Sequence, residues 1–340
     1  MHKLFGYRCA TEEYPSSVLV ERAVKAEQNG FDFLCASDHF HPWFHREGHA
    51  CHPWILLSSI GAGTKRIRIG TSVTAPIYRY HPAIIAQAFA TLGELYPNRV
   101  FLGLGIGEAM NEAPLGFNWP DFETRMEILK EAVDVIRQLW KNKFVDYNGK
   151  HLKLRKAKLY VQSRGDIPLY VAAEGLKSAR QAGRIGDGFM TFTTKPTEQS
   201  ISKLKKVLDA LREGTEEAER AFEGFPKMVE LLVSYDEDYE KALHALAKWR
   251  ILALPNKLHL KIYDPRELDK LAENVNMKDL EEVFLIATNV EQCIKFAEQM
   301  IKLGFNEIQF HSASPNEDGF ISKFGRKALP YLKATHSSTG

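Results

Sequence analysis

A chain of 340 residues, 44% hydrophobic and 26% charged, carries enough apolar material for one large α/β domain or two ordinary ones, which excludes a disordered chain. Its 45 Lys and Arg balance 43 Asp and Glu to a formal net charge of +2, so no bulk field draws it to nucleic acid or an acidic membrane, and a small-molecule partner is expected. Cys9, Cys35, Cys51 and Cys293 lack any C-x-x-C spacing, Met1 to Arg8 hold no signal-like apolar stretch, and no run approaches the roughly 20 apolar residues of a membrane span. The expectation is a protein of the reducing cytoplasm, with neither a disulfide framework nor a structural zinc.

Short β-rich runs alternate with helical patterns along the whole chain, the form taken by repeated βα units around a parallel sheet. Leu4–Tyr7 is the first predicted strand, and Val18–Asn29 repeats its apolar residues at helical spacing before the Asn29-Gly30 stop. Phe33–Ala36, Ile67–Val73 and Arg99–Leu104 read as strands two to four, with a helix over Pro82–Leu95 between the last two. A helix over Phe122–Leu139 precedes a Tyr147-Asn148-Gly149 turn. Pro168–Ala173, Gly188–Phe192, Met228–Tyr235 and Glu307–His311 complete eight strands.

Between Tyr235 and Glu307 the chain is long, charged and mostly helical, with a break at Leu254-Pro255-Asn256. An insertion over about 236–285 is expected there, within a single domain spanning 1–335, followed by a frayed tail at 336–340. No repeat of fixed period occurs.

In a barrel of such units the loops past the strand C-termini build the active site. Strand two is followed by Ser37-Asp38-His39-Phe40-His41-Pro42-Trp43, strand four by Gly105-Ile106-Gly107-Glu108 and strand five by Glu174-Gly175. Asp38-His39 sets a carboxylate beside a side chain that exchanges protons near neutrality; the competing reading is a histidine satisfied by a backbone carbonyl. His39, His41, His45, His49 and His52 crowd near Cys51, yet only His41 and His45 have weak metal-ligand spacing, so no metal is assigned. Gly103-Leu104-Gly105-Ile106-Gly107 lacks the third glycine of a dinucleotide fingerprint. Its glycines still admit a flat cofactor close to the backbone, with Glu108 beside it; otherwise Glu108 simply favours a helix start. The helix opened by Gly175, with Lys177, Ser178 and Arg180, suits a phosphate, and Lys195 past strand six suits another anion.

Together, Ser37–Trp43, Gly70-Thr71-Ser72-Val73, Arg79–Thr91, Leu95–Val100 and Gly107–Glu112 resemble the deazaflavin branch of the luciferase-like superfamily over nearly the whole chain. Within it the likeness is to coenzyme F420-dependent glucose-6-phosphate and secondary alcohol dehydrogenases. The resemblance implies a luciferase-like (β/α)8 TIM barrel, usually a homodimer, with the F420 ring across the C-terminal mouth. It implies a bulge with a non-prolyl cis peptide at Ser72-Val73, and cofactor contacts from Asp38, Ser72, Val73, Ala75, Ile106, Gly107, Asn111, Glu174, Gly175, Lys177 and Ser178. His39, Trp43 and Glu108 match the catalytic pattern, with Glu12 near the substrate. On this reading His39 takes the hydroxyl proton, Asp38 sets its tautomer and Glu108 serves the N1 side of the ring.

Departures fall in the substrate pocket. Where sugar-phosphate members hold phosphate with a threonine, two lysines and an arginine, this chain has Phe192, Lys195, His259 and Val283, with Lys257 and Lys261 flanking His259. Losing bidentate arginine recognition is not conservative for phosphate. Tyr263-Asp264-Pro265 and Ser312–Asn316 look more like the alcohol dehydrogenases. The expectation is an alcohol or sugar-like substrate, with glucose 6-phosphate as the alternative; an FMN-dependent monooxygenase and a silent cofactor-binding relative are the further readings.

Overall fold

Strand-forming runs that alternate with helices leave one face of each strand for the helices and the other for the strands' own interior. The computed structural model, which describes residues 2–141, 143–254 and 261–336, closes these runs into a ring. The strands are β1 (Leu4–Cys9), β2 (Phe33–Ala36), β3 (Arg68–Thr71), β4 (Val100–Leu104), β5 (Val145–Asn148), β6 (Lys153–Ala157), β7 (Leu169–Ala172), β8 (Gly188–Thr193), β9 (Lys227–Tyr235), β10 (Leu285–Ala287) and β11 (Glu307–Ser312). The parallel order β11-β1-β2-β3-β4-β7-β8-β9 is closed by pairing of β9 with β11, giving the eight-stranded barrel. All eight predicted barrel strands are present, most within one or two residues of their expected bounds.

The short β10 beside β9 and the antiparallel β5–β6 hairpin were not foreseen as strands. The reason is physical: Leu285–Ala287 spans three residues, and Lys153–Ala157 is mostly exposed and charged, so neither displays apolar alternation.

Helix starts follow local chemistry. Pro53 and Pro82 occupy first helical positions, and the imidazoles of His52 and His81 accept the N–H groups of Trp54 and Ala83. Asp121 caps the helix Phe122–Trp140 through Thr124 N at 2.8 Å. Among the described residues no helix is long and apolar enough to cross a membrane.

The period of two along each strand divides the core. Outward residues pack under the helices in the main cluster, whereas Phe33, Cys35, Phe101, Tyr170, Met190 and Met228 fill the barrel interior. Gly6 makes room for this filling, because a Cβ there would lie 2.1 Å from the Phe33 ring. Nearer the C-terminal mouth the inward positions turn polar, at Arg8, Glu230, Gln309 and His311.

Between β9 and β11 run the helices Tyr239–Ala245, Pro265–Ala272 and Met277–Val283, with a 3-10 segment over Leu246–Ala253. Leu243, Leu246, Trp249, Leu268, Leu280 and Phe284 pack with Trp43, Phe44 and Met110, at about 1.5–3 kcal/mol for each fully buried aliphatic or Phe side chain. This cluster roofs the mouth of the barrel. Leu254 ends the 3-10 segment, but Pro255, Asn256, Lys257, His259 and residues 337–340 lie outside the described residues.

Candidate active site

The loop that leaves β2 carries His39 over the barrel mouth, with 9% of its side chain exposed. Its ring sits between two carboxylates: Nε2 is 3.8 Å from Glu12 Oε1, and Nδ1 is 3.5 Å from Glu108 Oε2. His39 Nδ1 and Glu108 Oε2 are both buried without a hydrogen-bond partner. A histidine satisfied by a backbone carbonyl is therefore not what the fold builds. Trp43 meets the His39 ring edge-on at a centroid distance of 5.7 Å and links it to the roof.

Glu108 stands at the N-cap of the helix Ala109–Glu112, yet its side chain caps no N–H and turns to His39 instead. Burial raises its pKa, with Glu12 and Glu174 adding to the rise and His39 opposing it. Glu12 behaves oppositely. Burial pushes it up, but His39, Arg8 and His311 together with a hydrogen bond from Ser37 Oγ bring it down to about 2. The site thus sets a carboxylate whose pKa is held down and one whose pKa is pushed up on opposite sides of one imidazole.

Asp38 does not set the His39 tautomer, which corrects the expectation from sequence. Its carboxylate is taken by Thr74 Oγ1 at 2.6 Å, Arg79 Nη2 at 2.7 Å and Tyr80 OH at 3.4 Å. Adjacent side chains on an extended loop point to different sides, so a neighbour in sequence was the wrong partner.

The cofactor candidates gather around the same mouth. The Ser72–Val73 peptide bond is cis, and the Ser72 carbonyl accepts from Arg8 Nη1 at 3.1 Å. Gly107 has φ +70°, and a Cβ there would lie 2.8 Å from Ala75 Cβ; only glycine brings the backbone this close. Arg125 holds the carbonyls of Ile106 and Gly107 at 3.3 and 3.4 Å. Asn111 Oδ1 accepts from Phe40 N at 2.8 Å and so ties the His39 loop to the helix after β4. Past β7, Gly175 precedes the helix Leu176–Ile185, its N–H and carbonyl both bonded to Ser178 Oγ. Lys177 pairs with Glu123 at the surface, 2.6 Å away, and Glu174 lies 4.0 Å from Lys203.

In the substrate region Phe192 points into the mouth, 38% exposed, by the same strand period that buries Met190 inside. Lys195 Nζ donates to the Glu281 carbonyl, and Thr194 Oγ1 to the Val283 carbonyl at 2.7 Å, which docks the roof on β8. The loop histidines do other work: His41 meets the Tyr263 carbonyl at 2.9 Å and His52 caps its helix. No group of three or more His, Cys, Asp or Glu among the described residues is arranged to hold a metal ion.

Sequence reasoning missed the layer beneath His39: Arg8, Glu13, Glu230, Gln309 and His311. For all but Glu13, which lies in the turn after β1, the signal was available as charged or polar residues at inward positions of barrel strands, which are otherwise apolar. Buried between Glu230 and Glu13, His311 pays a desolvation cost that its two carboxylate hydrogen bonds outweigh, and its pKa rises to about 9.

Residues 6–307 match the model of the luciferase-like monooxygenase family. A protein named F420-dependent glucose-6-phosphate dehydrogenase from Mycobacterium tuberculosis (strain CDC 1551 / Oshkosh) is 39% identical over 330 residues, covering 96% of this chain and 97% of that one. One of the same name from Rhodococcus erythropolis (strain PR4 / NBRC 100887) is also 39% identical, covering 97% of each. Among solved structures, an F420-dependent secondary alcohol dehydrogenase in complex with an F420-acetone adduct superposes with a TM-score of 0.91 at 35% identity, covering 98% of this chain and 99% of that one. With the family model spanning most of the barrel and relatives matching along nearly the full length, the chain belongs to the luciferase-like monooxygenase family.

Proposed function

We propose that this protein is a coenzyme F420-dependent dehydrogenase acting on the CH–OH group of an alcohol or sugar-like substrate. The observation that carries the reading is His39 held between Glu12 and Glu108, with its Nδ1 and Glu108 Oε2 buried and facing each other without a hydrogen bond. The relatives' dependence on F420, by name, supports the cofactor.

The residues suit that group. The Gly107 backbone is bare enough for a flat ring to approach, and the Gly175 helix start offers N–H groups to a phosphate. Asp38, Ser72, Val73, Ala75, Ile106, Asn111, Glu174, Lys177 and Ser178 complete the proposed cofactor contacts. When bound, the deazaflavin accepts or returns a hydride at C5. His39 takes the substrate hydroxyl proton at Nε2 or returns it in the reverse direction. Glu12 stabilises the imidazolium that forms, Glu108 holds or releases a proton on the Nδ1 side, and Trp43 walls the substrate and excludes water.

Phe192 and Val283 place apolar surface where a phosphate would need donors, and the Lys195 ammonium is engaged by the Glu281 carbonyl. Those contacts favour an uncharged alcohol, with His259 the remaining substrate candidate. Glucose 6-phosphate is the second reading, supported by the names of the 39% identical relatives. We further propose a single domain over 1–335 with its insertion at 236–285, a cytoplasmic location and a homodimer.

The test is bleaching of oxidised F420 by purified protein with isopropanol and with glucose 6-phosphate. Turnover of isopropanol is expected. Turnover of the sugar phosphate alone would replace the first substrate reading by the second, and retention of FMN without any F420 binding would defeat both.

A further inference from the structure

Below His39 lies a buried ionic stack that the proposed chemistry does not use. Arg8 of β1, Glu230 of β9 and His311 of β11 turn into the barrel with side-chain exposures of 9%, 13% and 2%. Arg8 Nη1 donates to Glu230 and, at 3.1 Å, to the Ser72 carbonyl, while Nη2 reaches Glu12 Oε1 at 3.5 Å. His311 bridges Glu230 Oε1 at 2.9 Å and Glu13 Oε1 at 3.1 Å, and Lys248 Nζ lies 3.6 Å from Glu13 Oε2 at the outer end.

Two roles fit a chain of ionisable groups running from a proton-handling histidine toward the surface. A proton wire fails at Arg8, because a guanidinium does not give up its proton in a protein and Arg8 is the link between Glu230 and Glu12. What remains is a fixed charge in a fixed place. A lysine could not replace it, since one ammonium on a flexible stem does not span two carboxylates and a carbonyl in a planar fork.

We propose that Arg8 is the positioning residue of the site: it holds the Glu12 carboxylate against His39 and ties it to the Ser72 carbonyl, braced from behind by Glu230 and His311. The groups facing Glu12 are Arg8 from its own side of the barrel, Thr11, Ser37, His39, Cys51 and Glu108 around the mouth, Glu230 from β9 and His311 from β11. Among them Arg8 is the fixed cation, and His39 and His311 are the titratable ones. The catalytic part of the proposal rests on His39 as the base; the electrostatic part does not.

The test uses the full chain with Arg8→Met, Arg8→Lys and Glu230→Gln, and reads the Glu12 carboxyl by infrared difference titration between pH 4 and 7, with Glu12→Gln as the reference that assigns the band. Wild-type Glu12 stays ionised across this range, in keeping with its pKa of about 2. Loss of a contacting positive charge raises a carboxyl by about 1–3 units, which from about 2 reaches roughly 3–5, so Arg8→Met brings the onset of Glu12 protonation into the acid end of the window. Glu230→Gln leaves Arg8 less neutralised and Glu12 ionised throughout. Arg8→Lys keeps Glu12 ionised but lowers kcat roughly tenfold with F420 affinity nearly unchanged, the split expected when geometry at the reacting proton is lost.

Arg8→Met with Glu12 ionised throughout, Glu230→Gln with Glu12 protonating, or Arg8→Lys turning over like wild type each overturns the proposal. Should Arg8→Met not fold, the other two variants decide. Absence of any F420 turnover in the wild type would remove the dehydrogenase reading, while the titration would still judge Arg8.

Discussion

Replacing Glu108 by glutamine keeps the shape of the site and removes one charge. At the 3.5 Å that separates His39 Nδ1 from Glu108 Oε2, a full imidazolium–carboxylate pair is worth about 5 kcal/mol at an effective dielectric of ~20. The Glu108 side chain is 27% exposed, so water reduces this to roughly 2–3 kcal/mol. If the pair forms only as His39 acquires the hydroxyl proton, that sum belongs to the barrier, and kcat falls roughly 30- to 150-fold. F420 affinity, followed by quenching of its fluorescence, changes by no more than about 3-fold because the side chain volume is kept. His39→Asn alone costs about 10²–10⁴ in turnover. The double variant then falls no further than about 3-fold below His39→Asn, since Glu108 acts through the proton on His39. Multiplicative losses in the double variant, or a Glu108→Gln enzyme with kcat within about 3-fold of wild type, would refute the coupling.

Stability should fall as pH rises. His311, raised to about 9, contributes stability that is complete below the unfolded value near 6.5 and is lost as pH passes through 9. Burial lifts Glu317 to about 7 and Glu112 to about 7, so both fold more favourably when protonated and their cost grows as pH rises from the ordinary carboxylate range through 7. All three have the same sign, and Tm measured by differential scanning calorimetry should drop by several degrees between pH 6 and 9.5; a flat profile would contradict the charge states assigned here. Gly107→Ala forces a side chain into φ +70° with its Cβ 2.8 Å from Ala75 Cβ, costing about 1–3 kcal/mol. F420 binding should weaken at least tenfold in that variant, and unchanged affinity would show that the ring does not lie against Gly107.

Most of the barrel was legible in one dimension. Eight apolar runs at βα spacing, and the glycines of the turn after the fourth strand, are local signals, and local physics placed them. His39, Glu108 and Gly175 could be singled out because each sits just past a strand end, where the fold opens to solvent. The β5–β6 hairpin and β10 escaped because their pairing depends on a partner rather than on any pattern of their own.

What tertiary structure alone decided is which charges meet. Asp38 and His39 are neighbours in sequence, yet Asp38 turns to Thr74 and Arg79, while the carboxylates on the imidazole come from positions 12 and 108. Arg8, Glu230 and His311 stand on three strands far apart in the chain, and only barrel closure makes them one ionic stack. Strand period says that a side chain faces inward but not what it faces, because the opposing partner is set by ring closure and register. The sequence by itself determined the barrel, its mouth and the family's characteristic motifs; the pairing of the proton-handling groups, and with it the division of labour between Glu12 and Glu108, was a property of the closed ring.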